Sequence, residues 1–369
     1  MGKLRVLIVG PSFDILGGQA VQVGRLLDRL RNESALEVDF LPINPRLPGV
    51  FRKLQSIKFV RTVVTSFAYV VSLLARVRKF DVIHVFSASY FSFVLAPTPA
   101  ILIAKMYGKK VVLNYHSGEA DDHLRRWRRT AIPTIKLADR IVVPSEYLED
   151  VFKQFGLAAT PIYNLIETEK FRFRAREPLQ PAFLSNRNFE AHYGVDDVLR
   201  AFALIQKQIP AATLAVAGNG PERLKLEQLS LELNLQNTKF VGRVEHDQII
   251  DLYNSTDVFL NGSLIDNQPL SILEAFACGL PVVTTNAGGI PYMVEHERTA
   301  LLVNRTDYQG LAKAALRLFD EPALTRRLIA EGQRECQKYS WAVVRDQWLE
   351  LYAQAARSEL ASAQTSVCA

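Results

Sequence analysis

The stretch DNQPLSILEAFACGLPVVTT places two carboxylates, Asp266 and Glu274, eight residues apart. Its pattern predicts a loop, a helix and a buried strand, with Asp266 before the helix and Glu274 inside it. Amide donors and the positive end of the helix dipole favour an anion such as a phosphate at the helix start. One helix could therefore hold a nucleotide-sugar, with Asp266 on the sugar hydroxyls and Glu274 on the ribose diol. A surface helix with a solvent-facing glutamate is the alternative on spacing alone.

The residues between the two carboxylates predict where this helix begins and ends. Asn267 or Gln268 can cap it, and Pro269 is compatible with its first turn. Gly279 can end it, because glycine adopts the left-handed conformation of many helix C-termini. The predicted donor-binding residues of this segment, besides Glu274, are Asn267, Gln268, Pro269, Leu270 and Ser271.

Length and composition predict two globular domains. The chain has 369 residues, of which 49% are hydrophobic and 22% charged, so each domain can bury a substantial core. Its three cysteines are scattered and form no CxxC or Cys/His cluster, which indicates a reducing compartment. The N-terminus lacks a signal-peptide pattern, so we expect the cytoplasm. The net charge of +6 fits nucleic acid, an anionic membrane or phosphorylated ligands equally well.

Short apolar runs alternate with helical segments along the whole chain, which predicts an α/β fold. Continuous apolar strands indicate parallel sheets covered on both faces, whose ligands gather at the carboxyl ends of the strands. This alternation of apolar strands and helical segments starts again after a linker near 164–173. We therefore predict a first domain at 1–164 and a second at 165–340.

The stretch DNQPLSILEAFACGLPVV resembles family 4 of the retaining glycosyltransferases. In that family a glutamate and seven further residues precede a second glutamate, which begins an EAxAxGxPVV run. Glu274 matches the second acid, whereas Asp266 stands where the family usually has glutamate. The resemblance implies the GT-B fold, two Rossmann-like domains whose parallel sheets face an interdomain cleft. It continues through TTNAGGIPYMV, where Gly288 and Gly289 could allow close backbone approach to the donor.

Three further stretches continue the resemblance. In FLSNRNFEAHYG, Arg187 matches an arginine that holds the donor diphosphate, and Tyr193 stands where the family has a lysine. Gly17 and Gly18 match the glycine-rich loop after the first strand, and His116 matches a histidine that helps to orient the transferred sugar. Taken alone, a surface arginine, a flexible turn and a structural histidine remain the alternatives. The catalytic residues that the resemblance implies are Arg187, Asp266 and His116.

The resemblance implies a retaining glycosyltransferase that moves a sugar from a nucleotide-diphosphate sugar to a glycan or lipid-linked acceptor. It implies no catalytic metal and no cofactor besides the donor substrate. A helix at 341–360 resembles the family's terminal helix, which completes the first domain, and 361–369 is predicted to be a disordered tail. A non-catalytic nucleotide-sugar-binding or scaffold protein is the alternative, because Asp266 and the missing lysine depart from the pattern. The glycine spacing disfavours a dinucleotide-dependent oxidoreductase.

A basic and apolar segment in the first domain suggests an anionic membrane as a possible partner. Residues 51–80 contain seven Lys or Arg and no acid, and HLRRWRRT adds four arginines around Trp127. We expect peripheral contact with the inner face of the membrane and no nucleic-acid partner. The apolar run at 63–75 has thirteen residues, fewer than the ~20 that span a bilayer. A core helix with solvated basic ends is the open alternative.

Overall fold

The protein is represented by a computed structural model that describes residues 3–14, 18–47, 49–57, 59–87, 89–244 and 246–365. The chain forms two compact units. One consists of Met1–Leu165 together with Val344–Ala369, and the other of Ile166–Val343.

The first unit is built on a parallel sheet. Its strands among the described residues are β1 (Leu4–Gly10), β2 (Leu36–Pro42), β3 (Val82–Ser87), β4 (Lys110–Tyr115), β5 (Arg140–Val143) and β6 (Thr160–Pro161). They lie in the order β2-β1-β3-β4-β5-β6, with each neighbouring pair parallel. Every residue of β3 is buried, as expected for a strand covered on both faces.

Helices connect these strands. Those described in the first 165 residues are α1 (Gly18–Arg31), α2 (Val60–Arg76), α3 (Tyr90–Leu95), α4 (Pro97–Met106), α5 (Ala120–Arg126), α6 (Arg128–Ile135) and α7 (Glu146–Gln154). Short 3₁₀ segments cover Gly49–Ser56 and Val77–Lys79. The buried residues of α7 lie at Leu148, Val151 and Phe152, a helical spacing that directs one face to the core.

The second unit has its own parallel sheet. The strands described there are β7 (Ala182–Asn186), β8 (Thr213–Ala217), β9 (Thr238–Gly242), β10 (Val258–Asn261), β11 (Val282–Thr285) and β12 (Leu301–Val303). Their order is β12-β11-β10-β7-β8-β9. The chain builds outward from β7 to β9 and then returns to β10 on the other side of β7. The carboxyl ends of β7 and β10 therefore form a topological switch point, where open α/β sheets bind ligands.

Helices also separate the strands of the second unit. The described ones are α8 (Val195–Gln208), α9 (Arg223–Glu232), α10 (His246–Asn254), α11 (Leu270–Cys278), α12 (Ile290–Met293), α13 (Tyr308–Asp320) and α14 (Pro322–Cys336). Short 3₁₀ segments cover Ala191–Tyr193 and Gln337–Tyr339. Buried Val198, Phe202 and Ile205 of α8 pack in the same core as Leu311 and Ala315 of α13.

The last helix, α15 (Trp341–Thr365), enters the first unit at Val344. Its Trp348 and Tyr352 are buried, and the Tyr352 hydroxyl lies 2.7 Å from Nδ1 of His84 in β3. Two large aromatic side chains of α15 therefore contribute to the interior of this unit. The helix continues into the predicted tail at 361–369 as far as Thr365, and residues 366–369 lie outside the described part of the chain.

Helix α2 is largely exposed, so the core-helix alternative holds only for the face that carries Tyr69 and Leu73. Val63 is 70% exposed and Phe67 71%, and the buried residues of α2 are Tyr69 and Leu73. Helical structure continues over Val60–Lys79, 20 mainly apolar residues of which few are buried. By length and composition this is one helix, among those described, that is long and apolar enough to cross a membrane. The thirteen-residue run therefore understated the apolar segment.

Candidate functional site

Arg187 and Asp266 meet at the switch point of the second sheet. Arg187 follows β7, and Asp266 lies in the loop after the neighbouring strand β10. Nη2 of Arg187 donates to Oδ2 of Asp266, while Nη1 donates to Oγ of Ser271 at 3.2 Å. The two charged side chains are only 10% and 11% exposed. The structure thus brings together an arginine, a carboxylate and the first turn of α11, three features that the sequence assigned to donor binding.

The Asp266 carboxylate is oriented by further donors. Its Oδ2 accepts a hydrogen bond from Oγ of Ser263 at 3.2 Å, and its Oδ1 accepts one from the backbone nitrogen of Asn267 at 2.9 Å. Together with Arg187, these groups hold the carboxylate in one direction. Ser263 was not singled out from the sequence, because an isolated serine in a loop gives no distinguishing pattern.

Gly288 and Gly289 pack against the loop that carries Asp266. A Cβ on Gly288, whose φ is +51°, would lie 2.0 Å from the Asp266 carbonyl oxygen, and one on Gly289 would lie 2.1 Å from that of Asn267. The backbone nitrogen of Gly289 also donates to the Asp266 carbonyl at 3.0 Å. The close approach that these glycines allow is therefore to this loop. Any larger residue would displace Asp266.

The start of α11 differs from the sequence-based expectation. Pro269 occupies the N-cap position in an extended conformation, with φ −67° and ψ 111°, and the helix begins at Leu270. Asn267 and Gln268 are buried before the helix, and neither occupies its N-cap position. The expected capping role was wrong because the chain remains extended through Pro269. Since Pro269 has no side-chain acceptor, the amides of the first turn are suited to an anionic ligand.

Glu274 is buried inside α11, so the solvent-facing alternative is wrong. The residue is 6% exposed, and its Oε2 lies 3.1 Å from the hydroxyl of Tyr253 in α10. That hydroxyl accepts a hydrogen bond from Nδ2 of Asn186 at 3.1 Å. Burial and then the Glu274 carboxylate raise the pKa of Tyr253 well above its usual value, so the phenol remains a donor. Sequence reasoning missed Tyr253 because a tyrosine on an apolar helix face is typical of a core.

The buried guanidinium of Arg176 fastens the C-terminal end of α11. It donates to the carbonyl oxygens of Thr256 at 3.1 Å, Tyr253 at 2.8 Å and Arg174 at 2.9 Å, and also to that of Cys278. Cys278 is the last residue of α11, whereas Tyr253 lies near the end of α10. Arg176 therefore ties the ends of the two helices that carry Glu274 and its phenol donor.

His116 and Gly18 belong to the first unit. His116 follows β4, its ring centroid lies 5.1 Å from that of Phe86, and it lines a pocket with Asn114 and Trp348. Its Nε2 is enclosed, with no hydrogen-bond partner among the described residues. Burial lowers the pKa of His116 to about 3, so the imidazole is neutral near pH ~7. Gly18 begins α1, and Gly17 lies outside the described residues.

Acid is expected to destabilise the protein through three histidines. Burial lowers the pKa of His84 and His116 to about 3 and that of His123 to about 4. An unfolded histidine titrates near ~6.5, so below that pH the unfolded chain binds protons that the folded chain does not. Each histidine should remove about 2 kcal/mol from the free energy of unfolding between pH ~6.5 and ~5.

Thermal unfolding at pH ~7 and ~5 measures this effect. The His123→Asn variant should be less stable at pH ~7, because it lacks the 2.7 Å hydrogen bond between the His123 ring and the Tyr115 hydroxyl. It should nevertheless lose less stability on acidification than the unchanged chain. If both proteins lose the same stability between pH ~7 and ~5, His123 is not held neutral by the fold.

Comparison with known proteins gives the class and the family. The model for "Glycosyl transferases group 1" matches residues 167–335, and that for "Glycosyltransferase Family 4" matches 16–170. The chain is 30% identical over 282 residues to a glycogen synthase of Mycobacterium tuberculosis, covering 72% of this chain and 68% of that protein. It is 29% identical over 172 residues to a GDP-mannose-dependent monoacylated α-(1-6)-phosphatidylinositol monomannoside mannosyltransferase of Corynebacterium glutamicum, covering 44% and 45%.

A solved structure of Anabaena Alr3699/HepE in complex with UDP and glucose has the same fold. The TM-score is 0.74 at 18% sequence identity, with 95% of this chain and all of that chain covered. Two Rossmann-like domains with six-stranded parallel sheets in their described parts define the GT-B fold, and the matches to the family models and to the glycogen synthase make the chain a glycosyltransferase. Within that class, the chain belongs to glycosyltransferase family 4. The predictions of fold and family are thereby confirmed.

Proposed function

We propose that this chain transfers a sugar, with retention of its anomeric configuration, from a nucleotide-diphosphate sugar to a glycan or lipid-linked acceptor. The observation that carries the proposal is the contact of Arg187 with Asp266 and with the first turn of α11. This contact places a guanidinium beside an uncapped helix start, and both groups favour a diphosphate. The glycogen synthase and the lipid mannosyltransferase among its relatives, and the UDP and glucose bound to its structural neighbour, support the same reaction class.

The proposed roles follow the direction of α11. The sugar hydroxyls bind Asp266, the diphosphate binds Arg187 and the helix start, and the ribose diol binds Glu274. As the bond from the anomeric carbon to the phosphate oxygen breaks, the acceptor oxygen attacks from the same face and the leaving phosphate takes the acceptor proton. This route requires neither a separate protein base nor a catalytic metal. Arg187 stabilises the charge that gathers on the leaving diphosphate, and neutral His116 contributes hydrogen bonding.

A thermal-shift screen with uridine, guanosine and adenosine diphosphate sugars tests the proposal. A ligand that binds the folded state at 100 times its Kd raises stability by about 2.7 kcal/mol. We expect one nucleotide class to raise Tm, and the matching donor to yield a product with the anomeric configuration of the donor. Failure of all donors to shift Tm would contradict the donor site. Binding without transfer or donor hydrolysis would favour the non-catalytic alternative.

The exposed face of α2 supports an anionic membrane surface as the place of action. Large apolar side chains recur along this face at helical spacing, and α2 packs beside α4, which exposes two more. An apolar surface of this extent marks an interaction site. Exposed Arg61, Arg78 and Lys79 flank it, which favours anionic lipid. The exposed apolar residues are Ile57, Phe59, Val60, Val63, Phe67, Val71 and Leu74 from the α2 region and Leu102 and Met106 of α4.

The opposite face of α2 argues for peripheral contact. Tyr69, Leu73 and the adjoining Val77 are part of the apolar core of the first unit. Lipid cannot surround a helix that buries one face in protein. We therefore propose that α2 lies on the inner face of the cytoplasmic membrane, with its exposed side among the acyl chains. This position would bring a lipid-linked acceptor to the first unit.

Vesicle co-sedimentation is expected to depend on anionic lipid and to weaken at high salt. Phe67→Ser should reduce binding, whereas Leu224→Ser, an exposed apolar position of the second unit, should not. Replacing Arg125, Arg126, Arg128 and Arg129 with glutamine should also weaken binding, by about fivefold for each charge near the lipid. Arg125 and Arg126 already pair with Asp121 and Asp122, so their share should be smaller. Vesicle binding that is unchanged by lipid charge, by salt concentration and by Phe67→Ser would contradict the proposal.

A further inference from the structure

Tyr193 presents its ring face to the Arg187 guanidinium. The Cζ atom of Arg187 lies 4.1 Å from the centroid of the ring. A guanidinium within about 6 Å of an aromatic centroid is attracted by the negative face of the ring, and the attraction grows when the pair is withdrawn from water. The Tyr193 ring is therefore a surface that holds the Arg187 cation.

The turn that carries Tyr193 is fixed against the loop that carries Asp266. Gly194 has φ +56°, and a Cβ there would lie 2.0 Å from the carbonyl oxygen of Gly262. The carbonyl of His192 accepts a hydrogen bond from the backbone nitrogen of Leu264 at 2.8 Å. Backbone contacts thus set the position of the ring relative to the Asp266 loop. The ring can therefore hold the guanidinium whether or not Asp266 remains its partner.

One nitrogen of the Arg187 guanidinium has no partner in the described part of the chain. Nη1 and Nη2 have partners, whereas the buried Nε has no hydrogen-bond partner among the described residues. Leaving a buried donor unpaired is unfavourable, and a phosphate can accept two parallel N–H groups from one guanidinium. A diphosphate oxygen pair on Nε and Nη2 would satisfy the unused donor and replace Asp266. The carboxylate would keep Ser263 and the Asn267 nitrogen as donors.

We propose that Tyr193 is a positioning residue that holds Arg187 in place while the donor diphosphate replaces Asp266 as the anionic partner of the guanidinium. The inference rests on the proposed function, since it requires a diphosphate ligand. It assigns to the tyrosine a role in phosphate binding that needs no second positive charge. Asp266, once released from Arg187, becomes the acceptor for a sugar hydroxyl.

Calorimetric titration with uridine, guanosine and adenosine diphosphates and with the three nucleosides tests this role. Tyr193→Leu should weaken binding of the preferred diphosphate by about 5- to 30-fold, because the aromatic face is lost. Tyr193→Phe should restore most of that affinity, since its ring has the same face. Affinity for the nucleoside should be the same in all variants, which separates phosphate binding from damage to the fold.

The variant Asp266→Asn gives a second test in the same calorimetric titration. It should tighten diphosphate binding by about fivefold, because a neutral amide competes less strongly than a carboxylate for the guanidinium. Weaker diphosphate binding by Asp266→Asn would overturn the role proposed for Tyr193 but not the proposed function. Equal diphosphate affinity in Tyr193→Leu and the unchanged chain would do the same. If the unchanged chain binds none of the three diphosphates, the proposed function fails as well.

Discussion

Turnover at saturating donor is expected to fall about 100- to 1,000-fold when Arg187 is replaced by alanine, the usual loss when one preorganised charge donor is removed. The leaving diphosphate gains negative charge toward the transition state, so the interaction is strongest there and the loss appears mainly in kcat. Steady-state kinetics with the preferred donor measures it. Arg326→Ala, at an exposed arginine of the same unit that pairs with Glu177, is the matched control and should retain turnover.

A second variant separates chemistry from folding. Arg187→Ala leaves Asp266 largely buried without its cation, and breaking a buried pair in this way costs about 3–5 kcal/mol. The double variant Arg187→Ala/Asp266→Asn removes the uncompensated charge and should recover part of the lost stability. Its turnover should stay low, because the cation is still absent. A double variant with normal turnover would remove Arg187 from the reaction and assign it to the fold.

Replacing Glu274 with alanine is expected to raise the donor KM by about 10- to 100-fold with little change in kcat. A carboxylate on a ribose diol makes charge-assisted hydrogen bonds that are equally strong in the bound donor and in the transition state. Each such bond contributes about 1.5–3 kcal/mol. Initial rates over a range of donor concentrations separate KM from kcat, and Glu227→Ala on α9 is the control for loss of a carboxylate elsewhere in the unit.

A change in the ligand identifies the partner of Glu274. Binding of a 2′,3′-dideoxynucleoside diphosphate should be nearly the same in Glu274→Ala and in the unchanged chain, since the hydroxyls that the carboxylate accepts from are gone. Tyr253→Phe should show a smaller rise in KM, because the carboxylate loses the phenol that orients it. A full effect of Glu274→Ala on the dideoxy ligand would place the carboxylate away from the ribose.

The sequence predicted well what depends on nearby residues. The helical stretch that ends before Gly279 and the apolar run PVVTT that follows define α11 and β11 as the structure has them. The cap was misjudged, because Asn267 and Gln268 are good capping residues by type but the chain is still extended at Pro269. Capping depends on where the backbone turns, and a proline that itself occupies the cap shifts that position.

Contacts between distant segments were beyond sequence reasoning. Arg187 and Asp266 are 79 residues apart and meet because their strands are neighbours across the switch point of the sheet. Tyr253 and Asn186 were missed for the same reason, since strand order decides what lies beside Glu274. Composition also left open whether α2 lies in the core or at the surface. Composition measures how apolar a helix is, and only the packed fold determines which of its faces is covered.

The hydrogen bonds of Arg176 help to order α11 during folding, before any ligand binds. The helix is tied at its final carbonyl by a fully buried guanidinium, while its first turn lacks a capping side chain. The segment therefore loses its conformational entropy during folding. The backbone amides of its first turn are already oriented when a ligand binds. Because the helix is already ordered and packed before a ligand arrives, binding does not have to order it, and less of the gross interaction free energy is lost.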